Sequence, residues 1–93
     1  MGGEIRWRYR ILHEDGSLEY EGYTIPSLVG AVIVVFTMAE KGENGWRYQV
    51  VDGFTNEIWV SFKRGSLGIS LERVIPMLDF PKMFPQLPII RRL

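Results

Sequence analysis

Apolar and polar residues alternate at the start of the chain, from residue 5 to residue 11. The apolar positions are Ile5, Trp7, Tyr9 and Ile11, and arginines occupy the positions between them. A period of two is typical of a β-strand with one buried face. Asp15-Gly16 is a favoured turn sequence, and alternation resumes from residue 18 to residue 24. The pattern therefore predicts a β-hairpin.

The register of this hairpin follows from the chemistry of its two faces. Pairing His13 with Leu18 places Ile11 opposite Tyr20 and Arg10 opposite Glu21, so that one face is charged and the other is apolar. A slip of one residue would set Arg10 against Tyr20 and mix the faces. We therefore predict the first register, in which Arg6, Arg8 and Arg10 belong to a ladder of cross-strand ion pairs rather than to a free basic surface.

A long apolar segment from Leu28 to Ala39 is best explained by a buried helix. Ser27 suits the N-cap and Gly42 suits the position after the last turn. Six of the twelve residues of the segment are β-branched and would also fit a buried strand, but the length and the end signals favour a helix. Twelve helical residues span about 18 Å, which is too short to cross a hydrocarbon core of about 30 Å. We therefore expect no membrane span.

A second hairpin follows the helix. Alternation over residues 46–50 and again over residues 57–62 predicts two more strands. Pairing Val50 with Ile58 makes one face entirely apolar. Trp59 then lies on the opposite, open face of the sheet.

The C-terminal third is less regular. Ser70 can cap a short helix whose apolar side carries Leu71, Val74, Ile75 and Leu78. Four of the five prolines lie in the last 18 residues, which favours an extended arm close to polyproline II. The sequence thus predicts an α+β, two-layer β-β-α-β-β domain at residues 1–80. It has a four-stranded antiparallel sheet covered by one apolar helix, a short C-terminal helix, and a Pro-rich extended arm at residues 81–93.

Composition narrows the function classes. Hydrophobic residues make up 46% of the chain and charged residues 24%, which argues against a disordered protein. The 11 basic and 11 acidic side chains cancel, and this balance disfavours an obligate nucleic-acid coat. The chain has no cysteine, which excludes disulfides, thiolate metal sites and cysteine nucleophiles.

Catalytic residue types are scarce. His13 is the only histidine, and it lies beside Glu14 and Asp15 at the predicted hairpin tip. We expect a solvated turn residue there, not a general base or a metal ligand. No cofactor and no enzymatic activity are expected. The first residues show no signal-peptide pattern, so the expected location is cytoplasmic.

The predicted helix is apolar around its whole circumference. The stripe expected to face the sheet is Leu28, Ala31, Val32, Val35, Met38 and Ala39. Val29, Ile33 and Phe36 occupy the opposite face, where a helix on a single sheet would carry charges. Leaving these three in water forgoes about 1.5–3 kcal/mol each. Either the C-terminal segment of the same chain or a second protein must cover them.

The first functional hypothesis is a small non-enzymatic protein-interaction module. It is a homodimer formed through the helix face and the C-terminal arm, and a further protein partner can use the surface left open. The interface residues that this hypothesis names are Val29, Ile33, Phe36, Phe80, Phe84 and Leu87.

Two alternatives remain. One is a nucleic-acid-binding accessory protein, because residues 46–93 hold seven basic and four acidic groups. The residues that would form such a face, or bind a protein partner, are Arg6, Arg8, Arg47, Trp59, Lys63 and Arg64. The neutral net charge disfavours this reading. The other alternative is a small-ligand pocket at a dimer seam, lined by aromatic side chains.

Overall fold

A computed structural model of the chain describes residues 7–23 and 27–90, which form one sheet and two helices. The elements are β1 (Trp7–Leu12), β2 (Leu18–Tyr23), α1 (Leu28–Glu40), β3 (Arg47–Asp52), β4 (Ile58–Gly65), β5 (Gly68–Val74), α2 (Phe80–Met83) and β6 (Ile89–Ile90). The α+β class is confirmed. The predicted strand count was wrong, because these ranges contain six strands in the order β2-β1-β3-β4-β5-β6. The sheet is mixed, since β6 runs parallel to β5 while the other neighbours are antiparallel.

The first hairpin has the predicted register at Arg10 opposite Glu21 and at Ile11 opposite Tyr20. The predicted pair of His13 with Leu18 was wrong, because Glu19 is the extra residue of a bulge and Leu12 lies opposite Leu18. The second hairpin is displaced by two residues, because Val50 pairs with Val60 and not with Ile58. A displacement of two keeps a side chain on its original face, so Val60 and Phe62 lie in the core as predicted. The prediction was wrong at Ile58, which pairs with Val51 and not with Val50, because the register shifts again by one residue there.

The predicted helix after Ser70 was wrong, because residues 68–74 form β5 and pair with β4. Phe62 lies opposite Leu71 and Ser61 lies opposite Arg73, so Glu72 is an extra residue in a β-bulge. Because of the bulge, the apolar residues Leu71 and Val74 are three positions apart instead of two. A spacing of three is also typical of one face of a helix, which explains the wrong prediction.

Helix α1 begins as predicted, with the Ser27 hydroxyl oxygen accepting a hydrogen bond from the Gly30 N–H at 3.2 Å. It packs mainly on β3 and also on β4, β1 and β5. Its buried residues are Ala31, Val32, Val35, Phe36 and Ala39. The expected outward position of Phe36 was therefore wrong, because the helix is rotated so that this ring enters the core.

The C-terminal segment packs against its own chain, on the β4–β5 half of the sheet. Phe80 and Phe84 are buried, and the Phe80 ring lies 5.8 Å from the Phe62 ring. Beyond α2 the chain returns to the sheet, where Ile89 pairs with Ile69. No helix within the described ranges is both long enough and apolar enough to cross a bilayer.

Candidate interaction surfaces

An apolar ridge runs along the outer face of α1. We use the name helix ridge for Val29, Ile33 and Val34, whose side chains are 43%, 39% and 39% exposed. The sequence has no charged residue between Leu28 and Ala39, and Thr37 is the one exposed polar side chain among them. The ridge is open because the sheet covers only one side of α1.

The C-terminal segment does not cover the helix ridge. It lies beside α1, where Phe36 and Pro88 share the walls of a shallow cleft. The predicted interface residues are therefore in different environments. Val29 and Ile33 are exposed, whereas Phe36, Phe80 and Phe84 are buried in the core and Leu87 is half-buried.

A second apolar surface lies on the hairpin of β1 and β2, on the side of the sheet that carries α1. Tyr20 pairs with Ile11, which packs against the core, so Tyr20 is on this side. Its side chain is nevertheless 53% exposed. The Tyr9 ring lies 5.7 Å from the Tyr20 ring. A Cβ atom added at Gly22 would be 2.7 Å from the Tyr9 hydroxyl, so the Tyr9 ring lies over Gly22.

We use the name tyrosine shelf for Tyr9, Tyr20 and Gly22. Burial, followed by the side-chain hydrogen bond with Tyr20, raises the pKa of Tyr9 above its ordinary value.

Alternation predicted that Tyr20 faces the core. It did not predict that β2 is an edge strand and that α1 stops short of it, because strand order is not encoded in the local pattern.

His13 is half-buried at one end of this hairpin, not fully solvated as predicted. Its imidazole packs on the Trp46 ring, with centroids 4.6 Å apart, and its Nε2 lies 2.7 Å from Glu19 Oε1. Within residues 7–23 and 27–90, no cluster of three or more His, Asp or Glu side chains could hold a metal ion.

The face of the sheet away from α1 carries ion pairs. Arg8 and Arg10 each lie 3.2 Å from the same carboxylate oxygen of Glu21. Arg47 lies 2.8 Å from Glu72, and this hydrogen-bonded partner raises the pKa of Arg47. The predicted cross-strand ion pairing is confirmed for Arg8 and Arg10, whereas the pair of Arg47 with Glu72 was not predicted.

The six residues predicted for a basic and aromatic face do not form one surface. Arg6 lies outside the described residues, and Lys63 lies on the face away from α1, opposite Arg47. Arg64 lies on the helix side, where its Nη1 donates to the carbonyl oxygens of Ala39 and Glu40 at 2.9 and 2.6 Å. Arg8 and Arg47 are engaged in the ion pairs described above.

Trp59 does not lie on the open face as predicted. Val50 pairs with Val60 and Val51 pairs with Ile58, which makes Trp59 the extra residue of a bulge. The bulge turns the indole towards the core, where it packs edge-on against Trp7 at 5.0 Å between ring centroids. Trp59 therefore contributes to packing and not to an open stacking surface.

A cleft of about 500 Å³ lies between β5 and the C-terminal segment. Its walls include Ser70, Phe80, Phe84, Leu87 and Ile90. The cleft is formed within one chain, and its aromatic lining is phenylalanine. It therefore differs in location from the pocket at a dimer seam, lined by Trp, Tyr and Phe, that the sequence suggested.

No match was found when the chain was compared with protein-family models, with curated proteins and with solved structures. The function is therefore inferred from the geometry of this chain.

Proposed function

We propose that this protein is a small, non-enzymatic interaction module that forms a homodimer through the helix ridge. The proposal rests on the exposure of three branched apolar side chains, Val29, Ile33 and Val34, on the outer side of α1. Covering them recovers about 1 kcal/mol each, since roughly 40% of each side chain is still in water. Phe80 and Phe84 already belong to the core of their own chain, and the proposed interface accordingly lies on α1.

A second copy is the partner that best suits this surface. Two-fold dimers are the commonest assemblies, and they bury the same patch on both subunits. The chain has equal numbers of acidic and basic groups, so two copies approach without net repulsion. Homodimer interfaces are also more apolar than the rest of a protein surface, as the ridge is.

Placing a charge on the ridge tests the proposal. Ile33→Asp should convert the dimer to monomers in sedimentation equilibrium, because a carboxylate cannot be buried without a partner. Leu67→Asp is the matched control, since Leu67 is 90% exposed in the β4–β5 turn and is not part of the helix ridge. Circular dichroism checks that both variants stay folded. A dimer that withstands Ile33→Asp as well as Leu67→Asp contradicts the proposal.

A further inference from the structure

The helix ridge alone is too small to hold a dimer together. Helix α1 has 13 residues, which gives an outer face about 20 Å long and about 10 Å wide, or a footprint of about 200 Å². Stable interfaces remove about 800 Å² of surface from each partner. A dimer built on the ridge therefore needs a second apolar surface close to it.

We infer that the tyrosine shelf is this second surface, and that the helix ridge of each chain packs on the tyrosine shelf of a second copy. The inference rests on the proposed homodimer and specifies which surface of the partner the ridge contacts. It joins the two apolar surfaces that a single chain leaves uncovered on the same side of its sheet.

The spacing of the sheet fits this arrangement. Helix α1 is centred on β3, and β2 lies two strands away in the order β2-β1-β3. Two strand spacings amount to about 9.6 Å, and packed helices lie about 8–10 Å apart. The space above β2 can therefore hold one helix in contact with α1. Tyr20, which faces this space, is 53% exposed, so the described residues 7–23 and 27–90 leave room there.

When the two copies are related by a two-fold axis parallel to α1, the helix of each copy occupies the space above β2 of the other copy. The two helices lie side by side in one layer between the two sheets. Each helix contacts its own sheet on one side and the partner's tyrosine shelf on the other. The arrangement is closed, since ridge meets shelf twice and no further copy can join.

The rotation of α1 supports the same arrangement. At 100° per residue, Val34 lies about 160° around the helix from Phe36. Phe36 points towards β4, so Val34 points towards β1 and the open space. Val34 of each copy therefore meets the equivalent residue of the other helix.

The chemistry of the shelf suits an apolar partner. Tyrosine is enriched at protein interfaces because it combines a large apolar ring with a hydrogen-bonding hydroxyl. Glu21, on the same strand, points to the other face and pairs with arginines, while Glu19 is held by His13 at the hairpin tip. The acidic groups beside the shelf are thus already paired within the chain.

Two tyrosines on one strand give a matched test by sedimentation. Tyr20→Ser removes the shelf, whereas Tyr23→Ser changes a more exposed tyrosine on the opposite face, which pairs with Arg8. We expect Tyr20→Ser to raise the dimer dissociation constant about tenfold or more and Tyr23→Ser to leave it within about twofold. If the unmodified chain is a dimer and Tyr20→Ser binds equally well, the shelf is excluded and the proposed homodimer stands. A monomeric unmodified chain overturns both.

Cross-linking gives a second, independent readout, because the chain has no cysteine of its own. In the side-by-side helices, cysteines at position 34 of the two copies fall within the Cα separation of about 4.4–6.8 Å that a disulfide requires. Val34→Cys should form a covalent dimer under mild oxidation. Val29→Cys, on the other flank of α1, should not. Efficient cross-linking at position 29 with none at position 34 overturns the arrangement.

Discussion

Phe36 packs edge-on against Phe62, with ring centroids 5.3 Å apart and ring planes at 80°. This contact fixes the rotation of α1 over the sheet, because it places Phe36 in the core at 3% exposure. Val29 and Ile33, on the same flank but further from the sheet, remain exposed in consequence.

The first prediction concerns this anchor. Phe36→Ala should lower the free energy of unfolding by about 3–5 kcal/mol, since it removes a buried ring and leaves a cavity. Val29→Ala, in the same helix, should cost about 1 kcal/mol or less, because its side chain is already 43% exposed. Urea denaturation at one fixed protein concentration measures both values. Equal losses in the two variants would mean that α1 is rotated differently from the structure.

A second prediction concerns the C-terminal end of α1. Arg64 donates to the last carbonyl groups of the helix, Ala39 and Glu40, which have no partner within the helix. Arg64→Ala should therefore destabilise the fold by about 1.5–3 kcal/mol, the usual contribution of hydrogen bonds to charged groups. Arg73→Ala is the control, because Arg73 is exposed and its loss should change stability by about 0.5 kcal/mol or less. Thermal denaturation compares them, and matching melting temperatures would contradict this role of Arg64.

The third prediction is a pH dependence caused by Tyr48. Burial raises the pKa of its phenol, although the hydroxyl also accepts a hydrogen bond from the Glu43 N–H. The folded state then holds this proton more tightly than the unfolded state, whose tyrosine pKa is about 10. Ionisation of Tyr48 should therefore leave the free energy of unfolding unchanged below about pH 9 and lower it as the pH rises above about 10.

Tyr48→Phe isolates this effect. The variant should lose stability at neutral pH, because the Glu43 N–H loses its acceptor, but its stability should fall less steeply above about pH 10. Some slope remains because the pKa of Tyr9 is also raised. Urea denaturation across the alkaline range gives the two curves. Curves that run parallel throughout would show that Tyr48 does not titrate differently on folding.

The parts of the fold that depend on local signals could be predicted from the sequence. The first hairpin register follows from the charge match of Arg10 with Glu21, and the start of α1 follows from Ser27. The three bulges could not be predicted, because an inserted residue looks the same as a change of period. One bulge places Leu12 opposite Leu18, one moved Trp59 to the core side, and one made β5 look like a helix.

The candidate site could be predicted only in part. Val29 and Ile33 lie on the helix face away from the sheet, as expected, but the C-terminal segment, one of the two expected covers, does not bury them. Phe36 was placed on the wrong side, since a helix that is apolar all round has no polar face to define its rotation. The tyrosine shelf was missed because Tyr20 alternates like a core residue. Its exposure arises from the edge position of β2, which only the long-range strand order determines.

If the helix ridge is buried between two copies of the chain, the unmodified protein is a dimer in solution. Sedimentation equilibrium at micromolar concentrations measures this mass. We expect a species of twice the 10.8 kDa chain mass. A single species of 10.8 kDa throughout that range would contradict it.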